Sequence, residues 1–334
     1  MSSEWNWDPH AEAIISGFSA AYGSLTIPSE TIDQNFGIEI GKLRKRAGIQ
    51  SVSHAAPDES ELSLGTAAAL AAIDAAGMNA GSLDWILAVS ETHRSVPSLA
   101  AGLHSGLKLR DSCGALDVGG ACLGLLHSLA TAQAFQKSGQ AKNILIVTAD
   151  LHSRTLIPGR VRGEFGGLFG DGASAFIVQS SPQRAAGNFY RLGEFFFGCA
   201  SQYARAIQLQ DRAHGELDVV FDGDALSRAA ITKMTQIFDE VESKSGFSRR
   251  DTFGFATHQP NPRLVSLLAK QAGVAGDRFP RIAEFHGNLG SSTCGAALHE
   301  LLNALLPGDP HCRKPIFLAS LGPGLLFGGG WLSQ

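Results

Sequence analysis

The stretch DVGGACLGLLHSLATAQAF, residues 117–135, gives the most informative local signal for the fold of this chain. It places one cysteine, Cys122, between a pair of glycines and a run of helix-forming residues, where a strand is predicted to pass into a helix. A helix start has unpaired backbone N–H groups and a partial positive charge, and both favour a thiolate over a thiol. Cys122 is therefore expected to ionise and to act as a nucleophile, although the same pattern also fits a small buried hydrophobic residue.

The composition describes a well-buried globular protein. Of 334 residues, 44% are hydrophobic and 17% are charged, and the net charge of −4 gives no general attraction for nucleic acid or a membrane surface. Apolar runs such as 144–147 are too short to span a bilayer, and residues 1–18 lack the pattern of a secretory signal. The sequence has five cysteines, Cys113, Cys122, Cys199, Cys294 and Cys312. They form no CxxC pair, which indicates a reduced, cytoplasmic protein without a metal site.

Strand-like and helix-like segments alternate along the chain, which predicts an α/β fold. The predicted strands include residues 84–90, 143–150 and 174–179. The predicted helices include residues 64–77, the segment after Cys122, and residues 263–273.

The two halves of the sequence also repeat a short pattern. NILIVTAD (143–150) is followed by LFGDGASAFIV (168–178), and PIFLASLG (315–322) is followed by LFGGGWL (326–332). Each pair is interpreted as a buried strand, a turn and a further strand. The repeat predicts two similar α/β halves joined near residues 179–187.

Two polar stretches in the second half follow or interrupt strand-like segments. GFATHQPNPRL (254–264) places His258 directly after an apolar run, and FHGNLGSSTCGAALHELL (285–302) places Asn288 in a turn before a helix. Taken singly, each residue fits a polar cap or an ordinary turn. Together with Cys122 they fit acyl chemistry, because a cysteine can carry an acyl group and two neutral donors can stabilise a thioester carbonyl that becomes an enolate.

Four motifs, GGACLGLLHSL, LFGDGASAFIV, THQPNPRL and HGNLGSS, resemble in order and spacing the signature segments of the β-ketoacyl-ACP synthase III family. That family belongs to the thiolase-fold superfamily, and the resemblance runs from about residue 43 to the C-terminus. It implies a thiolase-like, five-layered α/β/α/β/α fold of two pseudo-duplicated halves, usually in a homodimer. The halves would be residues 1–179, which carry the nucleophile, and residues 180–334, which carry the histidine and asparagine.

The resemblance implies a catalytic triad of Cys122, His258 and Asn288. Cys122 would take an acyl group from a thioester, the other two residues would hold a malonyl thioester while it loses CO2, and the resulting carbanion would attack the acyl group. Such an acyltransferase starts fatty-acid biosynthesis or makes a polyketide or other secondary metabolite. It needs no metal or redox cofactor, and its substrates are acyl-CoA and malonyl-ACP or malonyl-CoA.

Two positions depart from the family pattern. Gly322 and Gly324 resemble the family's second oxyanion-side loop, but Pro323 between them has no N–H to donate. The bulky residue that limits the family's acyl pocket across the dimer appears here as Val96, which predicts room for an acyl chain longer or bulkier than acetyl.

Basic and polar residues fall where the family binds CoA or the acidic acyl carrier protein. Their side chains would grip a phosphopantetheine phosphate through charge-assisted hydrogen bonds. The predicted set is Arg46, Arg154, Arg228, Asn261, Arg263 and Lys270.

Several alternatives remain open at this point. One is a thiolase-fold acyltransferase that transfers an acyl group to an alcohol or amine without decarboxylation, and Asn288 argues against it. Another is a chalcone-synthase-like polyketide synthase, which the Gly-Pro-Gly sequence at 322–324 supports. A non-catalytic partner subunit is disfavoured by the complete triad, and a papain-like protease is disfavoured by the α/β pattern.

Overall fold

The computed structural model describes residues 12–181, 190–211, 217–305 and 313–334. The strands in these ranges are β1 (Glu12–Tyr22), β2 (Leu25–Pro28), β3 (Ser51–His54), β4 (Trp85–Val89), β5 (Gly114–Asp117), β6 (Asn143–Leu151), β7 (Asp171–Ser181), β8 (Tyr190–Leu192), β9 (Phe196–Cys199), β10 (Ile207–Asp211), β11 (Leu217–Phe221), β12 (Gly254–Thr257), β13 (Ile316–Gly322) and β14 (Leu326–Ser333). The α-helices are α1 (Ser29–Asn35), α2 (Lys42–Ala47), α3 (Glu61–Ala75), α4 (Leu99–Gly106), α5 (Gly124–Lys137), α6 (Gly163–Gly166), α7 (Gly223–Ser245), α8 (Pro262–Ala272), α9 (Ile282–His286) and α10 (Thr293–Ala304).

One mixed sheet runs through the molecule. Its strand order is β12-β13-β14-β8-β1-β7-β6-β4-β5, with β9 paired to β14, and the pairs β2–β3 and β10–β11 stand apart from it. The predicted strands at 84–90, 143–150 and 174–179 are β4, β6 and part of β7, and the predicted helices at 64–77 and 263–273 correspond to α3 and α8. The α/β prediction is therefore confirmed.

The sheet repeats one strand pattern in the two halves. In the first half β4 is parallel to β6 and β6 is antiparallel to β7, and in the second half β12 is parallel to β13 and β13 is antiparallel to β14. The Leu-Phe-Gly segments differ. Residues 168–170 form a turn before β7, whereas residues 326–330 lie within β14. The glycines there make space for aromatic rings, because a Cβ on Gly328 would stand 2.5 Å from the Phe197 ring.

The helices form three layers around the two parts of the sheet. The outer helices α3 and α4 share one apolar core with β4, β6 and β7, and the outer helices α7 and α8 share another with β12, β13 and β14. Helices α5 and α10 share a third core between them. These are the five layers of the thiolase-like fold that the sequence predicts. Glycine allows the close packing, since a Cβ on Gly124 would stand 2.2 Å from Val89 and one on Gly295 would stand 2.0 Å from Ser174.

Some predictions fall on residues outside the described ranges. These are most of the N-terminal segment, Cys312, and most of the junction at 179–187, so the division of the chain at 179/180 remains a prediction. Within the described ranges, every helix is too short or too polar to cross a bilayer.

Candidate active site

Cys122 lies in a 3-10 turn, Ala121–Leu123, that leads directly into α5. The turn is reached through Gly120 at φ 122° and Ala121 at φ 50°, a left-handed conformation that costs a residue with a Cβ about 1–2 kcal/mol. The Cys122 carbonyl accepts a 2.7 Å hydrogen bond from the buried Ser320 hydroxyl on β13. A strand of the second half therefore fixes a turn of the first half.

The surroundings of the Cys122 thiol oppose the ionisation that the helix start alone favours. Burial is the largest effect on it and raises its pKa well above the usual value, and the carboxylates of Glu91 and Asp150 raise the pKa further. A backbone hydrogen bond at the sulfur lowers the pKa but does not outweigh these effects. These effects favour the neutral thiol in the unliganded site, and the ionisation of Cys122 that the helix start favours stays a prediction.

His258 follows β12 immediately and is buried. Its backbone N–H donates to the Ala319 carbonyl at 3.1 Å, which extends the parallel pairing of β12 and β13 by one residue. Burial lowers the pKa of the imidazole to about 4, opposed by the Glu91 charge. The ring is therefore neutral at pH 7, and its Nδ1 has no hydrogen-bond partner among the described residues.

Asn288 is held by the LFGDG segment, residues 168–172, which leads from α6 into β7. Its N–H donates to the Leu168 carbonyl at 2.8 Å, and its carbonyl accepts from the Gly170 N–H at 3.0 Å. Its side-chain oxygen accepts from the Gly290 N–H at 3.0 Å and from the Thr293 hydroxyl at 3.2 Å. Since the oxygen is bound to the turn, the amide NH2 is the group that the side chain can offer as a donor.

The glycines of the predicted oxyanion loop have different positions. A Cβ on Gly322 would stand 3.1 Å from the Gly120 carbonyl oxygen and 3.9 Å from the Cys122 nitrogen, so Gly322 lies against the nucleophile's turn. Gly324 has φ +80° and open space around its Cβ position. The backbone of Gly322 therefore lies close to Cys122, whereas the Cβ position of Gly324 has no neighbouring atom within 4 Å.

The structure brings together a buried cluster of three ionisable side chains that the sequence analysis missed: Glu91, Asp150 and His152. The Glu91 N–H donates to Asp150 Oδ1 at 2.5 Å, and its Oε2 lies 3.7 Å from His152 Nε2. Asp150 Oδ2 also accepts from the Ser291 N–H at 2.8 Å, so this carboxylate links the Glu91 segment to the turn that carries Asn288. The other Glu91 oxygen, Oε1, is buried without a hydrogen-bond partner among the described residues.

The charges in this cluster depend on one another. Burial opposes ionisation of Glu91, but hydrogen bonding and charge from His152, with contributions from Cys122 and His258, lower its pKa. Burial likewise opposes the His152 charge, but Glu91 and Asp150 raise its pKa overall. Burial and the Glu91 charge raise the pKa of Asp150 to about 6. Glu91 and His152 thus favour each other's charged forms beside the nucleophile.

A sequence signal for this cluster exists. Glu91 lies two residues after the end of β4, and Asp150 and His152 lie at the end of β6. The two strands are parallel neighbours, with Val89 opposite Thr148. Polar residues after adjacent parallel strands meet at one sheet edge, the usual place for a ligand site in such a sheet.

Cys122, His258 and Asn288 line one pocket, together with Glu91 and His152. The empty volume of the pocket is about 1550 Å³, which includes the solvent at its open mouth. Much of the wall is apolar: Ile207, Leu209, Leu217, Phe221, Leu226, Ala230, Ile231, Met234, Leu264, Val265 and Leu268. The site therefore fits a long, largely apolar ligand with one reactive polar end. Among the described residues, no three or more His, Cys, Asp or Glu side chains lie together in a way that could hold a metal ion.

The other predicted site residues are more dispersed. Val96 is 99% exposed and does not line the pocket of its own chain. Asn261 lines the pocket and caps α8, its Oδ1 accepting from the Leu264 N–H at 2.9 Å. Two arginines missed in the sequence, Arg94 and Arg160, also line the pocket.

The five predicted basic residues are exposed and lie outside the pocket wall: Arg46, Arg154, Arg228, Arg263 and Lys270. Arg263 donates to the Lys45 carbonyl at 2.9 Å, which places it next to Arg46 on α2. Arg154 donates to the Ala56 carbonyl at 2.9 Å and therefore holds the loop between β3 and α3.

Family models match both halves of the chain. The model described as 3-oxoacyl-[acyl-carrier-protein (ACP)] synthase III matches residues 116–193, and the model for the C-terminal part of that enzyme matches residues 243–333. The first match covers the nucleophile's turn and the second covers His258 and Asn288.

Curated relatives and solved structures agree with these matches. The β-ketoacyl-[acyl-carrier-protein] synthase III of Salmonella paratyphi A is 30% identical over 287 residues, covering 85% of this chain and 87% of that protein. The enzyme of the same name from Neisseria meningitidis is 27% identical over 325 residues, covering 95% and 97%. The crystal structure of 3-oxoacyl-(acyl carrier protein) synthase III from Pseudomonas aeruginosa has the same fold, with a TM-score of 0.84, 23% identity and coverage of 96% and 98%. Xanthomonas campestris OleA also has this fold, with a TM-score of 0.85, 19% identity and coverage of 97% and 98%.

The fold and these relatives define a thiolase-fold condensing enzyme, which is an acyltransferase. The chain belongs to the β-ketoacyl-ACP synthase III family.

Proposed function

We propose that Cys122 accepts an acyl group from acyl-CoA and that His258 and Asn288 promote decarboxylation of a malonyl thioester, whose carbanion then attacks the acyl-cysteine. The observation that carries this proposal is the convergence of the three side chains on one pocket from separate elements, the turn before α5, the end of β12 and the turn before α10. The neutral imidazole and the Asn288 amide can donate to an enolate oxygen without placing a charge against the departing carboxylate.

Half-reactions test these roles separately. We expect Cys122→Ala to abolish loading by acyl-CoA, with Cys113→Ala as the matched control, because Cys113 is buried but does not line the pocket. We expect His258→Ala and Asn288→Ala to load normally but to release CO2 from malonyl-ACP at least 100-fold more slowly, as for loss of an oxyanion donor. CO2 release that is unchanged in both variants would contradict the assignment.

We infer that the acyl donor is a medium or long fatty acyl thioester rather than acetyl-CoA. The apolar wall formed by β10, β11, α7 and α8 supports this, and an OleA structure contains bound lauric acid and lauroyl-CoA. Exposed Val96 supports a homodimer in which this residue borders the partner's acyl pocket. Val96→Phe should then reduce loading by dodecanoyl-CoA and keep loading by acetyl-CoA. Loading by dodecanoyl-CoA that equals that of the wild type would contradict the role of Val96.

We further propose that acyl carrier protein docks beside Arg46 and Arg263, with Arg228 and Lys270 adding positive charge on α7 and α8 and Asn261 at the pocket wall. The contact of Arg263 with the α2 backbone supports a shared basic surface. We expect Arg46→Ala with Arg263→Ala to raise KM for malonyl-ACP at low salt and to leave KM for malonyl-CoA nearly unchanged. Arg154 would act by holding the β3–α3 loop. A cytoplasmic location is supported by the free cysteines Cys113, Cys122, Cys199 and Cys294.

The second candidate function is acyl transfer to an alcohol or amine without decarboxylation. Glu91 favours it, because a carboxylate in the pocket repels the carboxylate of a malonyl thioester and can accept a proton from a neutral acceptor. Offering loaded enzyme either malonyl-ACP or a panel of fatty alcohols and amines separates the two functions. Release of a β-ketoacyl product supports condensation, and release of an ester or amide supports transfer.

A further inference from the structure

Loading of an acyl group onto Cys122 needs a group that accepts the thiol proton. Cys122 is a neutral thiol in the unliganded site, so its proton must leave before or while the sulfur attacks a thioester. After burial, the Glu91 carboxylate has the largest effect on this thiol, since its negative charge raises the thiol's pKa. His258 is not among the groups that shift the thiol's pKa most, although it lines the same pocket.

The geometry of Glu91 suits such a role. Its backbone is fixed by the 2.5 Å hydrogen bond to Asp150, and its Oε2 faces His152 Nε2 at 3.7 Å. Its Oε1 is buried, has no hydrogen-bond partner among the described residues, and belongs to a side chain that lines the pocket with Cys122. An oriented carboxylate with one unused oxygen beside a thiol is the arrangement of a general base.

We propose that Glu91 is the proton acceptor for acylation of Cys122. Glu91 takes the Sγ–H proton as the sulfur attacks the carbonyl carbon of the donor thioester. A C–S bond to Cys122 forms, and the tetrahedral intermediate collapses with cleavage of the C–S bond to CoA. The proton passes from Glu91 to the departing CoA thiolate, which leaves acyl-Cys122, free CoA and a Glu91 carboxylate. His152 acts as a positioning residue, since it holds Oε2 and balances the carboxylate's charge.

This inference rests on the loading step of the proposed function, which is common to condensation and to simple acyl transfer. Several charged or titratable groups surround Glu91 and set its pH dependence. Asp150 and His152 face it from β6 and the turn that follows, Cys122 from the turn before α5, and His258 from the end of β12. Glu61 on α3 reaches the same segment through the Thr92 hydroxyl at 2.8 Å.

The test compares two reactions of Cys122 in Glu91→Gln. The rate of acylation by dodecanoyl-CoA, measured by rapid quench and intact mass, should fall about 100-fold, as expected for loss of a general base. The rate of alkylation by iodoacetamide at pH 7 depends on the thiolate fraction, and it should rise, because removing the adjacent negative charge lowers the pKa of Cys122. The pH midpoint of alkylation should move down correspondingly.

Two further variants keep the test decisive. Glu91→Asp retains a carboxylate and should recover part of the acylation rate, and Glu39→Gln, an exposed glutamate outside the pocket wall, should match the wild type in both reactions. If Glu91→Gln speeds acylation and alkylation together, Glu91 is only a charge that raises the thiol's pKa, and the inference is overturned. It is also overturned if both reactions slow together or if acylation is unchanged. Wild-type protein that alkylates but accepts no acyl group would instead refute the proposed function.

Discussion

Gly322 and Gly324 allow the oxyanion loop to be tested with two substitutions of identical chemistry. Both would receive one methyl group, but in different surroundings. At Gly322, where φ is −129°, alanine is conformationally acceptable, and its Cβ would stand 3.1 Å from the Gly120 carbonyl oxygen and 3.9 Å from the Cys122 nitrogen. At Gly324 the methyl would meet open space, but φ is +80°.

The expected magnitudes follow from this contrast. Gly322→Ala should leave the free energy of unfolding nearly unchanged, because the strain of one tight contact offsets a gain of about 0.4–1 kcal/mol from a less flexible unfolded chain. The nucleophile's turn must move by a few tenths of an ångström, so acylation should slow about 10- to 100-fold. Gly324→Ala should cost about 1 kcal/mol, the left-handed penalty of about 1–2 kcal/mol less the same entropic gain, and should keep the acylation rate.

Urea unfolding followed by tryptophan fluorescence and single-turnover acylation by acyl-CoA measure the two effects. We expect opposite results for the two variants: Gly322→Ala should lose activity and Gly324→Ala should lose stability. If Gly322→Ala acylates at the wild-type rate, the prediction that Gly322 belongs to the oxyanion loop is refuted. Inactive but stable Gly324→Ala would show that the turn at Pro323 has a catalytic role that the geometry does not predict.

Three other perturbations have definite expected outcomes. The pKa of His258 falls to about 4 in the folded state, so the unfolded chain binds more protons than the folded protein between pH 4 and 6.5. Lowering the pH from 7 to 4.5 should therefore reduce the free energy of unfolding by about 2 kcal/mol, measured by urea titration. The His258→Gln variant should not show this loss. Asp171→Asn should lower the free energy of unfolding by about 2–3 kcal/mol, because one buried oxygen can no longer accept a backbone N–H. Ser153→Ala removes one hydroxyl contact to the same carboxylate and should lower it by about 1 kcal/mol. Equal losses in the two variants would contradict this prediction. Gly295→Ala should lower Tm by several degrees, since its Cβ would stand 2.0 Å from Ser174 Oγ, and an unchanged calorimetric Tm would show that α10 can move away from the sheet without cost.

Much of the fold was predictable because the signals are local. Short β-branched runs predicted β4, β6 and β7, and helical periodicity ending at glycine predicted α3 and α8. The Gly-Gly pair before Cys122 correctly indicated a strand passing into a helix. The repeat of strand and Leu-Phe-Gly segment predicted two similar halves, although residues 326–330 lie in β14 and not in a turn.

The electrostatics of the site were not predictable from one segment. Helix-start geometry alone predicted an ionised Cys122, but the pKa depends on burial and on Glu91, which lies 31 positions earlier in the chain. Glu91 and His152 are inconspicuous as sequence, since neither belongs to a motif, and parallel pairing of β4 with β6 brings them together. The partners of Arg154 are backbone carbonyls of a loop, which no side-chain pattern reports.

Locating the acyl group on the protein tests the central claim most directly. Wild-type protein would be incubated with dodecanoyl-CoA, digested and analysed by peptide mass spectrometry before and after addition of malonyl-ACP. We predict one acyl group on the peptide that contains Cys122, none in Cys122→Ala, and discharge of the group as a β-ketoacyl thioester when malonyl-ACP is added. An acyl group on another cysteine, or one that malonyl-ACP does not discharge, would contradict the account.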